Sequence, residues 1–228
     1  MNPGDVFPLL RSSNKQTMKL FFSVLITFIV LNTNVYSQTK IYRTNHHNIG
    51  FGISSSCSTN EYLDFCVNGP LVNPNQLPVG GYIDNGVQKQ NWSDPVKAGG
   101  NFSTTNGIFG LGTDGQMYMV SHSEAYTLPS MKWAFQNGPI LVKDGKNVRG
   151  TSTSKYSRSG IGYTSAGTLI VIIALEPVTF WEFAEMFVKE NCVNAIYLDG
   201  GPYVGYSDDS GAYGTMVSEA TRLQFFNN

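Results

Sequence analysis

The chain has 228 residues, of which 41% are hydrophobic and 13% aromatic, and it carries 15 Lys and Arg against 16 Asp and Glu. This near-neutral charge gives no indication that the chain binds nucleic acid or an anionic membrane surface, since such binding is typical of a strongly basic chain or patch. The apolar content is enough for a substantial core, and the length from residue 38 onwards fits one domain.

The first recognisable segment is a signal peptide over residues 18–37. Met18 and Lys19 precede an apolar run over residues 20–31, which is too short to span a membrane, and Ser37 offers a small residue for cleavage. We expect residues 1–17 to be an unstructured upstream extension and residues 38–228 to form an exported, periplasmic or secreted, domain without a membrane anchor. The alternative for the apolar run is a buried core helix.

The three cysteines are Cys57, Cys66 and Cys192. An oxidising exported compartment would permit Cys57 to pair with Cys66, whereas buried free thiols are the alternative. No CxxC spacing is present, so structural zinc is not expected. We predict no cofactor, although calcium bound by acidic oxygen ligands is left open.

Hairpin turns follow one another along the chain, at Asn85-Gly86, Asp114-Gly115 and Asp144-Gly145. A further turn at residues 165–167 precedes the apolar, β-branched run of residues 169–175. That run predicts a strand buried on both faces, at the centre of the sheet. Residues 222–226 predict a last strand at an edge, which would close the sheet.

One helix is well marked, because Thr179 can act as its N-cap, with Glu182 as capping-box partner and Val178 opposite Phe183 as a hydrophobic staple. Its apolar residues recur at helical spacing until about residue 191. Residues 195–198 then predict a short strand parallel to the one before the helix, through a right-handed crossover. The predicted fold class is α+β (mixed α/β): a single domain with a mixed, hairpin-rich β-sheet and a strand-helix-strand unit near the carboxyl end.

Two acidic residues follow these two strands, Glu176 after the first and Asp199 after the second. Because parallel strands place their carboxyl ends at one edge of a sheet, we expect the two carboxylates to meet there. Such a pair suits glycosidic cleavage, in which one group protonates the leaving oxygen and the other activates water or attacks the anomeric carbon. The alternative is that they cap the helix or bind turn amides.

Other polar residues lie in loops that precede or follow the predicted strands. Gly200 and Gly201 allow a sharp turn whose amides can approach an anion closely. Arg158 precedes an apolar strand and could clamp a phosphate, or be a solvated loop charge. Gln136 could hydrogen-bond a substrate hydroxyl, or simply form a turn.

Several separated motifs follow one another along the chain. They are Phe65-Cys-Val-Asn68-Gly, Asn73-Pro-Asn, Pro78-Val-Gly-Gly-Tyr-Ile-Asp-Asn-Gly86, Gln136-Asn-Gly-Pro-Ile-Leu-Val142, Arg158-Ser-Gly-Ile-Gly162, Glu176-Pro-Val-Thr-Phe and Ala195-Ile-Tyr-Leu-Asp-Gly-Gly201. Their order resembles the phosphodiester glycosidase (NAGPA-like) superfamily, and more closely its bacterial DUF2233 branch. The resemblance runs from about residue 60 to residue 206.

The resemblance implies an exported hydrolase that cleaves the glycosidic bond between a sugar and a phosphodiester-linked group. Its substrate would be a sugar-phosphodiester or a cell-envelope glycan. The implied roles are phosphate binding for Arg158, hydroxyl binding for Asn68 and Gln136, and acid, base or nucleophile for Asp199 and Glu176.

The chain departs from the family pattern at two places. Pro70-Leu71 replaces a large apolar residue and an aromatic, and Pro202-Tyr203 replaces the Gly or Ser that often follows the two glycines. A changed substrate or lost activity therefore stays open. The alternative function is a non-catalytic carbohydrate or envelope-polymer binding domain that keeps the same pocket.

Overall fold

The computed structural model describes residues 39–45, 49–54, 57, 62–72, 78–94, 106–151, 153–214 and 222–227. Gln38–Asn228 form one compact unit. The predicted extension and signal peptide lie outside the described residues. Among the residues that are described, no helix is both long and apolar enough to cross a membrane.

The strands form three sheets, two of five strands and one of six. In spatial order, the six-stranded sheet contains β1 (Thr39–Asn45), β12 (Thr168–Val178), β11 (Tyr156–Thr164), β13 (Cys192–Tyr197), β9 (Ile140–Lys143) and β10 (Lys146–Asn147). The second contains β15 (Gly211–Gly214), β14 (Gly205–Asp208), β3 (Leu63–Asn68), β16 (Arg222–Asn227) and β2 (Ile49–Ser54). The third contains β5 (Val87–Gln90), β4 (Tyr82–Asp84), β8 (Met131–Asn137), β6 (Gly107–Gly112) and β7 (Met117–Ser121).

The α+β class is confirmed, but the predicted mixed sheet is not what the described pairings show, since they are all antiparallel. The strands β12 and β13 run in the same direction, as predicted, because each pairs antiparallel with β11, which lies between them. The strand β12 is therefore interior but not central.

The hairpin turns lie where the Asn-Gly and Asp-Gly pairs predict them. Asn85 and Gly86, and likewise Asp144 and Gly145, have positive φ angles. Both pairs join consecutive antiparallel strands, β4 to β5 and β9 to β10. This backbone conformation matches the twist of a two-residue hairpin, and glycine adopts it without steric cost.

The helix α1 (Phe180–Lys189) begins at the predicted cap. The amide of Glu182 donates to Thr179 Oγ1 at 3.1 Å, and Glu182 Oε2 accepts from the Thr179 amide at 2.8 Å. The side chains of Phe183 and Phe187 pack against Ile170 and other residues on one face of β12. The opposite face of β12 joins a larger core that all three sheets share, so the prediction of a strand buried on both faces is confirmed.

Residues 222–226 do not form an edge strand. The strand β16 pairs with β2 on one side and with β3 on the other, and so lies inside the second sheet. Local sequence cannot show which strands pair with β16 on either side. The strand also begins with Arg222, and a charged residue does not indicate burial. A disulfide joins Cys57 to Cys66 of β3, while Cys192 is a free, buried thiol.

Candidate active site

Three strand ends each supply a polar residue followed by glycine. Asn68 ends β3 and precedes Gly69, Asn137 ends β8 and precedes Gly138, and Asp199 follows β13 and precedes Gly200. The strands belong to three different sheets, yet hydrogen bonds connect these ends to one another. Together they form the candidate active site.

Asp199 is the one acid among these three residues, and hydrogen bonds hold it in place. Its amide donates to the Gly69 carbonyl at 2.9 Å, and its carbonyl accepts from Ser159 Oγ at 2.6 Å. Its carboxylate Oδ1 accepts from the Gly200 amide at 2.9 Å. The side chain is buried, and this burial raises the pKa of Asp199 to about 6, against the opposing effects of the Gly200 amide and the positive charge of Arg222. A carboxyl group with such a pKa can donate a proton near neutral pH.

Asn68 lies fully buried beside Arg222, a residue that the sequence analysis did not single out. Arg222 Nη1 donates to Asn68 Oδ1 at 3.1 Å, and the two residues face each other in the β3–β16 register. Arg222 is also buried, which lowers the pKa of its guanidinium, while the charge of Asp199 acts in the opposite direction. The signal that could have found it is a charged residue at the first position of an otherwise apolar strand.

Asn137 is a second residue that sequence reasoning missed, although it belongs to the Gln136-Asn-Gly-Pro139 motif. Its Nδ2 donates to the Tyr197 carbonyl at 2.5 Å, and its Oδ1 accepts from the Leu71 amide at 3.2 Å. This one side chain therefore ties β8 to the end of β13 and to the loop after Asn68. The connection holds the strand ends together at the site.

The two glycines after Asp199 are required for different reasons. A Cβ atom on Gly200 would overlap the Tyr197 hydroxyl, so any side chain there would force the Tyr197 ring to shift. Gly201 has a φ of +67° with open space around it, a conformation that L-residues rarely adopt. Pro202 then occupies the first turn of a short 3-10 helix, Gly201–Tyr203, where its fixed φ is compatible with the backbone.

Arg158 lies on the helix side of the six-stranded sheet. Its guanidinium carbon is 3.6 Å from the ring centre of Phe180, and its Nε donates to the Val178 carbonyl at 2.8 Å. Burial lowers the pKa of this guanidinium. Burial raises the pKa of the Tyr197 hydroxyl to about 12, and the charges of Arg158 and Asp199 act on it in opposite directions.

Gln136 is fully buried, and its amide group is committed to one loop of the chain. The Oε1 atom accepts from the amides of Gly81 at 3.1 Å and Ser93 at 2.8 Å, and Nε2 donates to the Ser93 carbonyl at 2.7 Å. Gln136 therefore fixes the loop that carries β4 and β5 against the end of β8.

Glu176 is not placed beside Asp199. It is exposed, and it lies within β12 at an irregularity of the register with β11. The strand β11 separates β12 from β13, which corresponds to about 10 Å between the two strand axes. Within the described part of the chain, the charges that act on Asp199 do not include Glu176. The sheet thus brings the two acids to one edge but not into contact.

No group of three or more His, Cys, Asp or Glu side chains that could hold a metal ion occurs among the described residues. Calcium binding stays a prediction.

A family model described as phosphodiester glycosidase matches residues 62–209. The uncharacterised protein YigE of Escherichia coli is 26% identical over 142 residues, covering 60% of this chain and 56% of that protein. The human N-acetylglucosamine-1-phosphodiester alpha-N-acetylglucosaminidase is 27% identical over 135 residues, covering 48% of this chain and 26% of that enzyme. The chain thus spans little more than half of the first relative and about a quarter of the human enzyme.

Solved structures share the fold at low sequence identity. The zebrafish counterpart of the human enzyme, whose catalytic domain was solved in a form auto-inhibited by its pro-peptide, matches with a TM-score of 0.60 at 14% identity, over 84% of this chain and 83% of that one. A hypothetical protein from Synechocystis matches with a TM-score of 0.51 at 13% identity, over 84% and 57% of the two chains. The family model covers most of the chain, residues 62–209, and the fold is shared with these structures. The chain therefore belongs to the phosphodiester glycosidase family.

Proposed function

We propose that the chain is an exported hydrolase that cleaves the glycosidic bond between a sugar and a phosphodiester-linked group. The observation that carries this proposal is the buried Asp199 carboxyl group, whose pKa is raised to about 6 at the end of β13. Membership of the phosphodiester glycosidase family supports the reaction class. The human relative's name describes the same kind of linkage.

Asp199 is the proton donor in this proposal. Cleavage of the bond between the anomeric carbon and its oxygen releases a phosphate monoester, whose second pKa is about 6. A general acid is most effective when its pKa lies near the operating pH, and here it also matches that of the leaving group. The proton of Asp199 passes to the bridging oxygen as that oxygen leaves the sugar.

Glu176 is the base that accepts a proton from the attacking water. The interposed strand β11 supports this role over direct attack by Glu176, because a nucleophilic carboxylate lies about 5 Å from the acid, whereas a base leaves room for water. The water oxygen forms the new bond to the anomeric carbon. The reaction would then invert the anomeric configuration.

The phosphate group is bound on the Arg158 side of Asp199. The charges of Arg158 and Asp199 both act on the Tyr197 hydroxyl, and the Gly200-Gly201 turn allows backbone amides to approach an anion. The sugar is bound by Asn68 and by the loop around β4 and β5, which Gln136 holds against the end of β8.

Action outside the cytoplasm is part of the same proposal. It is supported by the signal-peptide pattern of residues 18–37 and by the Cys57–Cys66 disulfide, which persists in oxidising compartments.

The test is release of reducing sugar from a panel of sugar-1-phosphodiesters, including UDP-N-acetylglucosamine, by the full chain and by Asp199→Asn. We expect turnover by the wild type and a loss of at least about 100-fold in the variant, the usual contribution of a general acid. Asp208→Asn is the matched control, because Asp208 is paired with Lys40 in the second sheet. Glycan binding without any turnover by the wild type would instead support the non-catalytic carbohydrate-binding function.

A further inference from the structure

Two arginines in the described part of the domain are almost completely buried, and their surroundings differ. Arg158 and Arg222 are each 2% exposed. Arg158 contacts the rings of Phe180, Tyr156 and Tyr197 and donates to two backbone carbonyls, those of Val178 and Ser154. These contacts tie β11 to the start of α1.

Arg222 contacts the candidate active site instead. It donates to Asn68 Oδ1 at 3.1 Å, and the next residue, Gly69, accepts the Asp199 amide at 2.9 Å. A short chain of contacts therefore leads from the guanidinium of Arg222 through the Asn68-Gly69 segment to the backbone of Asp199. The charges of Arg222 and Asp199 also act on each other directly.

Arg222 lies beyond residues 62–209, which match the family model. Its position is fixed by the β16–β3 pairing, which aligns Arg222 with Asn68 across 154 residues of sequence. A buried guanidinium is costly unless its donors and its charge are compensated. Asn68 accepts a hydrogen bond from this guanidinium, and the charge of Asp199 acts in favour of its charged form.

We propose that Arg222 is a positioning residue of the candidate active site, which holds the Asn68 amide in place and sets its positive charge against the buried Asp199 carboxyl group. The proposal rests on the function assigned to Asp199 above. Without Arg222, Asp199 would be a weaker acid that stays protonated up to a higher pH, and it would transfer its proton to the leaving oxygen less readily.

Among the described residues, the groups that face Asp199 include one charged side chain, that of Arg222. Arg222 comes from the second sheet, the Gly200 amide comes from the loop that follows, and Tyr197 lies on the preceding strand. Neither Arg158 nor Glu176 is among the charges that act on Asp199 in the described part of the domain. Arg158 is thus a matched control of equal burial and equal charge.

The experiment follows the titration of the Asp199 carboxyl carbon by NMR in the full chain labelled at aspartate, with the resonance assigned from Asp199→Asn. In Arg222→Gln we expect the midpoint to rise by about one pH unit, because an attractive charge has been removed. In Arg222→Lys, which keeps the charge, we expect the midpoint to stay near the wild-type value. In Arg158→Gln the midpoint should not move.

An unchanged midpoint in a folded Arg222→Gln variant would overturn the proposal. If that variant does not fold, Arg222→Met, which keeps an unbranched apolar stem but removes the charge, takes its place, and an unchanged midpoint there would likewise overturn the proposal. The titration needs no turnover, so it separates this proposal from the proposed function: absence of hydrolysis by the wild type would contradict the function while leaving the measured effect of Arg222 on Asp199 intact.

Discussion

Asp199 shows how one buried carboxyl group responds to opposing influences. Removal from water favours its protonated form, whereas the Gly200 amide and the Arg222 guanidinium favour its ionised form. Desolvation is the largest of these influences, so the pKa of Asp199 is raised from 3.8 to about 6. The native state therefore binds the Asp199 proton more tightly than the unfolded chain does.

The raised pKa predicts how stability depends on pH. The favourable contribution of the protonated Asp199 is complete below pH 4 and is lost as the pH rises through about 6. Asp199→Asn, which carries no charge, should increase the free energy of unfolding at pH 8 by up to about 3 kcal/mol and change it little at pH 4.

Urea unfolding of the wild type and of Asp199→Asn at these two pH values measures this difference. A variant that is less stable than the wild type at pH 8 but not at pH 4 would contradict the inferred direction of the pKa shift.

At the scale of elements, the turn from β13 to β14 is specified by two glycines with separate requirements. Gly200→Ala should cost about 3 kcal/mol, because the added methyl group overlaps the Tyr197 hydroxyl in a packed region. Gly201→Ala should cost about 1 kcal/mol, because only its positive φ is strained and the space around it is open.

Thermal or urea unfolding of the two variants checks this order. Tyr197→Phe in the Gly200→Ala background should recover part of the loss, since it removes the overlapping hydroxyl oxygen. If Gly201→Ala were the more destabilised of the two, the packing explanation would be wrong.

The elements themselves were largely predictable from local sequence. The cap of α1 at Thr179 and Glu182 follows from side chains that hydrogen-bond neighbouring amides, and the hairpins follow from Asn-Gly and Asp-Gly pairs. The insertion of β11 between β12 and β13 was not predictable in this way, because strand pairing depends on contacts distant in sequence. For the same reason β16 was expected at an edge but lies inside a sheet.

At the scale of the whole molecule, the candidate active site exists because strand ends from three sheets meet. The motifs indicated Asn68, Gln136 and Asp199, but not how they are connected. Glu176 was predicted to lie beside Asp199, because the direction of the two strands can be inferred from the sequence but the strand between them cannot. Asn137 and Arg222 could not be identified in the same way, because their roles depend on hydrogen bonds to residues 60 and 154 positions away.

This assembly predicts a specific dependence of activity on pH. The measurement that tests the central claim most directly is the pH profile of kcat/KM for sugar release from a sugar-1-phosphodiester, with Asp199→Asn alongside. If Asp199 is the proton donor, kcat/KM of the wild type is highest below about pH 6 and falls about tenfold per pH unit above it. The kcat/KM of Asp199→Asn is low and does not fall in this way as the pH rises. A wild-type rate that instead rises through pH 6, or a variant as fast as the wild type, would contradict the assignment of Asp199 as the acid.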